Sequence, residues 1–359
     1  MEVNPVKVIY AGLHNDYGLP ERGPSFEYQN LYRALDGMRG EGVEAVEFPM
    51  DLRIAELGIA GANRTLVDLV RAERPAALFV VLFKDEIGGE ALREIAAQGV
   101  VTIAWFSDDH WRGDTYGRRQ APLYSWVVTT DSRGPDRYRR MGRPNVIRSQ
   151  WACNTVTYGP RDRGRAHEVT FVGQPHGTRP GIVRELAARR IPVECWGLGW
   201  PAGRIDQDEM IRVFSRSRIN LNLTNSSGRP DFRSLVRCVV ERRPDRSLRL
   251  RWPSEARDLL LEMWGRRREQ IKGRHFEIPG CGGFQLSGSA DDLERYFTPG
   301  KEIAIARDTR EMGDMIRYYL DHEEERSRVA EAGYRRTLAE HTYAHRFREI
   351  FRTTGVMPR

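Results

Sequence analysis

The chain has 359 residues, too many for one ordinary hydrophobic core and suited to two domains of roughly 150–200 residues each. Forty per cent hydrophobic and thirty per cent charged residues are a globular, soluble composition, and no apolar run approaches the roughly 18 residues of a membrane span. The net charge of +7 rests on 57 basic residues, of which only Lys7, Lys84, Lys272 and Lys301 are lysines. So strong an arginine skew is most simply a coding bias, and it does not choose among anionic partners. Cys153, Cys195, Cys238 and Cys281 stand singly with no CxxC pair, which argues against a zinc site and fits reduced thiols. The opening "MEVNPVKVIYAGL" lacks the pattern of a signal peptide. The expected location is cytoplasmic.

In chain order, "VKVIYAGL" (6–13) reads as a buried first strand, followed by a long glycine-bearing loop and the helix-like "FEYQNLYRALDGM". Strand-like runs at 43–48, 77–83, 100–106 and 126–131 alternate with helical stretches around 64–73, 86–97 and 134–141. This alternation predicts a parallel sheet covered on both faces, a Rossmann-like domain over residues 1–155. The pattern restarts with strands at 169–174, 193–200, 219–225, 283–288 and 302–306, separated by helices. Residues 156–359 are therefore expected to form a second Rossmann-like domain, with helices after about residue 309 closing the chain. The fold class is α/β, two such domains with a cleft between them. Residues 229–269 interrupt the second domain. Twelve arginines against seven acidic residues there give this insertion a basic face.

Residues 269–288, "EQIKGRHFEIPGCGGFQLSG", gather chemistry in a short span. Glu269 and Glu277 bracket seven residues, Lys272 and Arg274 lie between them, and Gly282 and Gly283 precede a strand. Backbone amides at a helix start and nearby cations suit a diphosphate, and a carboxylate can accept both hydroxyls of a ribose. A capping Glu277 and a plain glycine turn would explain the same residues.

This stretch resembles the nucleotide-sugar signature of GT-B glycosyltransferases, an E-x7-E pattern followed by a Cys-Gly turn and a strand. With "DDLERYFTPGKEI", "VTFVGQ", "INLNLTNSS" and "EEERSRVAEAGYRRTLAEHTYAHR" it is similar to the spore-maturation (CgeB-like) branch. The resemblance covers most of residues 168–348 apart from the insertion. It implies two Rossmann domains, a donor nucleotide held by the C-terminal one, no required metal or cofactor, and a nucleotide sugar, a UDP-sugar in first place, as donor. By position it places Glu277 on the ribose, Glu269 at the donor sugar, and Arg179 and Lys272 on the diphosphate, with Gln174 where an arginine is often found. Gly282 and Gly283 would admit the phosphates, and Trp196 or Gly197 would line the nucleobase. The E-x7-E likeness favours retention at the anomeric carbon.

On the N-terminal side, "WFSDDHWRGD" sets Asp108, Asp109 and His110 just past a strand's carboxyl end, where open parallel sheets bind ligands. One of the two aspartates is expected to act as base on an acceptor hydroxyl and the other to cap a helix. Trp111 and Arg112 could contact a sugar, and His14 and Asp16 in the loop after the first strand are further acceptor-side candidates. The reading is a metal-independent glycosyltransferase transferring sugar to a hydroxyl of a glycan, protein, small molecule or modified DNA. A sugar-nucleotide epimerase and a non-catalytic polyanion-binding protein are the alternatives.

Overall fold

Short β-branched runs and the helices between them build the first unit of the computed structural model, which describes residues 5–161, 164–224, 232–242 and 248–358. Its strands are β1 (Val6–Gly12), β2 (Val43–Pro49), β3 (Ala77–Val81), β4 (Val101–Phe106), β5 (Trp126–Thr129) and β6 (Val146–Arg148). Its helices are α1 (Arg33–Asp36), α2 (Met50–Glu73), α3 (Gly89–Ala97), α4 (Asp109–Arg112), α5 (Arg118–Gln120) and α6 (Gly134–Arg140). The sheet order is β2-β1-β3-β4-β5-β6 with every pair parallel. All five residues of β3 are buried, as a strand covered on both faces requires. β6, three residues long, escaped the periodicity.

The second unit contains β7 (His167–Val172), α7 (Arg179–Ala188), β8 (Glu194–Trp196), α8 (Gln207–Arg216) and β9 (Ser217–Asn222). After the insertion come α11 (Arg274–Gly280), β12 (Gln285–Gly288), β13 (Ala304–Ala306), α12 (Thr309–Asp321) and α13 (Glu323–Glu340). Its sheet order is β13-β12-β9-β7-β8, again parallel throughout. The described part of the insertion forms α9 (Phe232–Val239), the antiparallel pair β10 (Val240–Arg242) and β11 (Leu248–Leu250), and α10 (Pro253–Gly265). Its residues 229–231 and 243–247, Arg246 among them, lie outside the described residues. No described helix is long and apolar enough to cross a membrane.

The division between units departs from the expected one at 155/156. The first unit comprises Met1–Asp109, Tyr116–Thr157 and Glu340–Arg359, the second His110–Thr115 and Tyr158–Ala339. Chain order hid this because the last helix, α14 (Tyr343–Thr354), returns to the first sheet. Phe347, Ile350 and Phe351 are fully buried, with the Phe347 ring edge-on to Phe79 of β3 at 5.3 Å between centroids. Arg346 fastens the helix by donating from Nε to the Gln150 carbonyl at 3.1 Å. His110–Thr115 joins the second unit by docking on α10: a Cβ at Gly265 would lie 2.7 Å from the Trp111 Cα, and Thr115 donates to Glu262 at 2.7 Å. Truncating Phe347 to Ala should destabilise the first unit by about 3–5 kcal/mol. Urea unfolding followed by near-ultraviolet circular dichroism measures this, and an unchanged midpoint would mean that α14 is dispensable to that core.

Candidate functional site

A parallel sheet delivers every strand's carboxyl end to one edge, and ligands bind where the strand order reverses. In the second unit that point lies between β7 and β9. Arg179, the first residue of α7, spans it. Its Nε donates to the Leu223 carbonyl beyond β9 and its Nη1 to the Gln174 carbonyl beyond β7, both at 3.0 Å. The guanidinium carbon lies 5.5 Å from the centre of the Phe171 ring. Burial lowers the Arg179 pKa to about 10, and the positive charge of Arg274 pushes the same way. Gln174 thus contributes its backbone oxygen to hold the cation.

Arg274 and Glu277 stand one turn apart on α11, and helical side chains lean toward the amino end, so the two meet. Arg274 Nη1 pairs with Glu277 Oε2, and the guanidinium lies over the Phe214 ring at 5.4 Å. Burial works against the Arg274 charge, but Glu277 and Tyr158 outweigh it and the pKa is raised. Glu277 is 0 % exposed, and its Oε1 has no hydrogen-bond partner among the described residues. Arg179 and Arg274 are near enough to repel, and it is Arg274 that pairs with the Glu277 carboxylate. The arrangement has room in its charge balance for an anion, and Glu277 Oε1 awaits a donor.

His275, between those two, was not singled out by the sequence because a lone histidine on an apolar helix has no distinctive spacing. It is fully buried and acts as a fastener: Nδ1 lies 3.0 Å from the Lys272 backbone N and 3.1 Å from the Lys272 carbonyl oxygen, and Nε2 lies 3.2 Å from Ser287 Oγ. Burial lowers its pKa to about 4, so the ring is neutral. The loop carrying Lys272 is thereby tied to the carboxyl end of β12. Glu269 is placed at the same end, where its Oε2 accepts from Ser289.

Other expected donor residues sit elsewhere. Gly282 and Gly283 precede β12 and lie past the far end of α11, away from the carboxyl edge. A Cβ on Gly283 would stand 2.5 Å from the Phe214 carbonyl oxygen, so this glycine admits a close helix–strand contact and not a phosphate. Gly197 (φ +145°) serves the same end: its Cβ would lie 2.4 Å from the Gly173 oxygen. The Trp196 ring packs edge-on to His167, the first residue of β7, at 5.3 Å, which takes it away from the carboxyl edge. The tryptophan that does reach the loop after β7 is Trp200, donating Nε1–H to the Gly173 carbonyl at 2.8 Å.

In the first unit the reversal lies between β1 and β3. The loop after β1 is held there by Asp51, which accepts from the His14 N–H at 2.7 Å and from Asn15 at 3.0 Å. His14 Nδ1 meets Glu47 Oε1 at 2.8 Å. Asp109 is not the accessible base or simple cap that the sequence suggested. It is 1 % exposed and accepts from Thr129 Oγ1 and, at 2.7 Å, from the Tyr138 hydroxyl. Arg137 lies beside it at 3.7 Å and pairs with Asp131 at 2.8 Å. Burial raises the Asp109 pKa to about 6 in spite of these partners. Asp108, partly exposed, remains with Asp16 and with Glu27, a residue that the helical periodicity concealed. Glu27 is raised to about 7, first by burial and then, against its own backbone N–H, by the charges of Asp108 and Asp16. His110 is buried in the second unit, whereas Trp111 is covered by the Arg266 guanidinium at 3.8 Å. Arg112 lies over the same ring at 5.6 Å. Trp111 therefore packs against the insertion.

Residues 179–238 and 254–352 match the pattern of the family described as "Glycosyl transferase-like". That stretch, less than half of the chain, is glycosyltransferase-like, and the chain as a whole has the GT-B fold. Sucrose-phosphate synthase from Thermosynechococcus elongatus superposes with a TM-score of 0.61 at 10 % identity, over 96 % of this chain and 98 % of that one. HepE of Anabaena, in complex with UDP-glucose, gives 0.61 at 9 % identity over 98 % and 100 %. A putative UDP-N-acetylglucosamine 2-epimerase from Listeria monocytogenes gives 0.50 at 10 % identity, over 91 % of each chain. No curated protein sequence matches.

His275 makes stability depend on pH in a defined direction. Its folded pKa of about 4 lies below the ordinary 6.5, so its contribution is present above about 6.5 and lost as pH falls toward 4. Asp109, raised from 3.8 to about 6, acts in the opposite sense over nearly the same window. The comparison must therefore be between variants. Going from about pH 7.5 to about pH 5, the parent should lose about 2 kcal/mol more than His275→Gln in urea unfolding. Equal losses would show that the ring is not neutral and buried.

Proposed function

We propose that this protein is a nucleotide-sugar-dependent glycosyltransferase of the spore-maturation (CgeB-like) branch, moving a sugar from a UDP-sugar to a hydroxyl acceptor without a metal. The observation that carries the reading is the approach of two like charges, Arg179 at the strand-order reversal and Arg274 on a buried Glu277 with one unsatisfied oxygen. Arg179, Arg274 and Lys272 would stabilise the leaving diphosphate, where negative charge develops in the transition state. Glu277 Oε1 would accept the ribose hydroxyls, and Glu269, oriented by Ser289, would meet the sugar. On the acceptor side Asp108 and Glu27 take the role of base. The complex of HepE with UDP-glucose supports this choice of donor.

Two roles at the donor site separate by ligand. Arg274→Ala should weaken UDP by about tenfold or more while leaving uridine unchanged, because only the diphosphate meets the arginine. Glu277→Gln should weaken both, since both carry the ribose. Isothermal titration with each ligand decides; equal affinity of the Glu277 variant for uridine would remove that residue from the ribose. Its fold must be checked alongside, since the change also removes the counter-charge of Arg274.

The acceptor-side reading makes a kinetic prediction. With Glu27 raised to about 7, transfer should rise as pH passes through about 7, when the carboxylate forms. Glu27→Gln or Asp108→Asn should lower kcat by about 10²-fold, and the Glu27 change should abolish that pH limb. Parent rates in both variants would place the base elsewhere or make it unnecessary. Strict dependence on an added acceptor, measured by UDP release, separates transfer from epimerisation.

A further inference from the structure

The turn between β7 and α7, residues 173–178, is pinned along its backbone. Trp200 donates Nε1–H to the Gly173 carbonyl at 2.8 Å. The Gln174 carbonyl accepts from the His176 N–H at 2.9 Å and from Arg179 Nη1 at 3.0 Å. The His176 carbonyl in turn accepts from the Arg179 N–H at 3.2 Å. Gly177 then enters the left-handed region at φ +57°, where glycine is at ease, and turns the chain into α7. A backbone held at so many points fixes where the His176 side chain begins.

The ring at its end is not tied down. His14 meets Glu47, His167 meets Glu194 and His275 meets Ser287, so each of those imidazoles has a polar partner. His176 is half-buried, and its ring has no hydrogen-bond partner among the described residues. Its pKa lies below the usual 6.5, first through burial and then through the charge of Arg179. The ring is therefore neutral near neutral pH.

Arg179 is the charge that bears on it, and beyond Arg179 stands Arg274, already paired with Glu277. Arg179 directs Nε and Nη1 at carbonyl oxygens, which leaves Nη2 without a partner among the described residues. An anion of two charges arriving at this edge would reverse the field at the imidazole. The positive neighbour that disfavours the imidazolium would be outweighed, and the charged ring would become the favoured form. A neutral polyol or an amine brings no such reversal.

We infer that His176 is a ligand of the donor's diphosphate and takes up a proton when the nucleotide sugar binds. This rests on the edge of the second unit being the donor site, and it adds that donor affinity is linked to pH through one ring.

Isothermal titration of the full chain with UDP-glucose is the test, because neither phosphate of that molecule titrates near neutrality, whereas the terminal phosphate of UDP does. At about pH 7, titrations in buffers of low and high ionisation enthalpy should reveal uptake of about half a proton or more per donor bound. His176→Gln should show none. The bound ring has the higher pKa, so the gain in affinity is lost as pH rises through it. The parent should therefore bind about fivefold or more tighter at about pH 6.5 than at about pH 8.5, while His176→Gln stays level. His176→Lys, charged throughout, should bind as tightly as the parent at about pH 6.5 and show no dependence on pH, a rescue that a merely structural role would not give. Uridine should bind all three proteins equally. Binding of UDP-glucose without proton uptake, an unchanged pH slope in His176→Gln, or a loss that His176→Lys does not repair overturns the inference and leaves the donor site standing. No binding of UDP-glucose by the parent removes the donor site and the inference together.

Discussion

A half-buried guanidinium that two strand ends must satisfy sets the geometry of the second unit's edge. Arg179 cannot shed its charge readily, so the chain has to give it oxygens, and those come from the carbonyls of Gln174 and Leu223. Each belongs to a loop leaving a different strand, β7 or β9. The cation therefore fixes the spacing of the two loops at the point where strand order reverses. Arg274 approaches from α11 carrying its own counter-ion, Glu277, whereas Arg179 is met by carbonyl oxygens. Phe171 and Phe214 lie under the two guanidinium groups and limit their access to water.

Around this edge, stability and site geometry are the same question. The His275 ring holds the Lys272 loop to β12, and its burial keeps it neutral. In the first unit Asp109 plays a comparable part, with Thr129, Tyr138 and Arg137 converging on a carboxylate that water cannot reach. Gly117 and Gly134 are small because that network fills the space a side chain would take: a Cβ would lie 2.4 Å from the Tyr138 oxygen and 2.2 Å from the Thr129 oxygen. The buried acid orders the segment that carries the partly exposed Asp108.

The architecture alone does not choose a reaction. Proteins titled as a synthase and as a putative 2-epimerase superpose on this chain at 10 % identity, so the shared feature is the fold. What distinguishes this chain is local: Arg274 on Glu277 with Arg179 nearby, the carboxylates Asp108 and Glu27, and the insertion between β9 and α11.

The sequence by itself determined the two parallel sheets, because β-branched runs alternating with helices leave few other ways to bury both faces of a strand. It also marked the span 269–288, where carboxylates, cations and glycines crowd together. Only the tertiary structure assigned those residues their parts. Spacing cannot tell a glycine that admits a ligand from one that admits a neighbouring backbone, and Gly197 and Gly283 are of the second kind. Nor can it separate Asp108 from Asp109, since adjacent residues differ in burial only through what packs on them. Glu27 and His275 were hidden for the same reason: each looks ordinary on its helix until the fold brings Asp108 or Ser287 beside it. The return of α14 to the first sheet was also invisible, because a terminal amphipathic helix carries no record of which core will bury it.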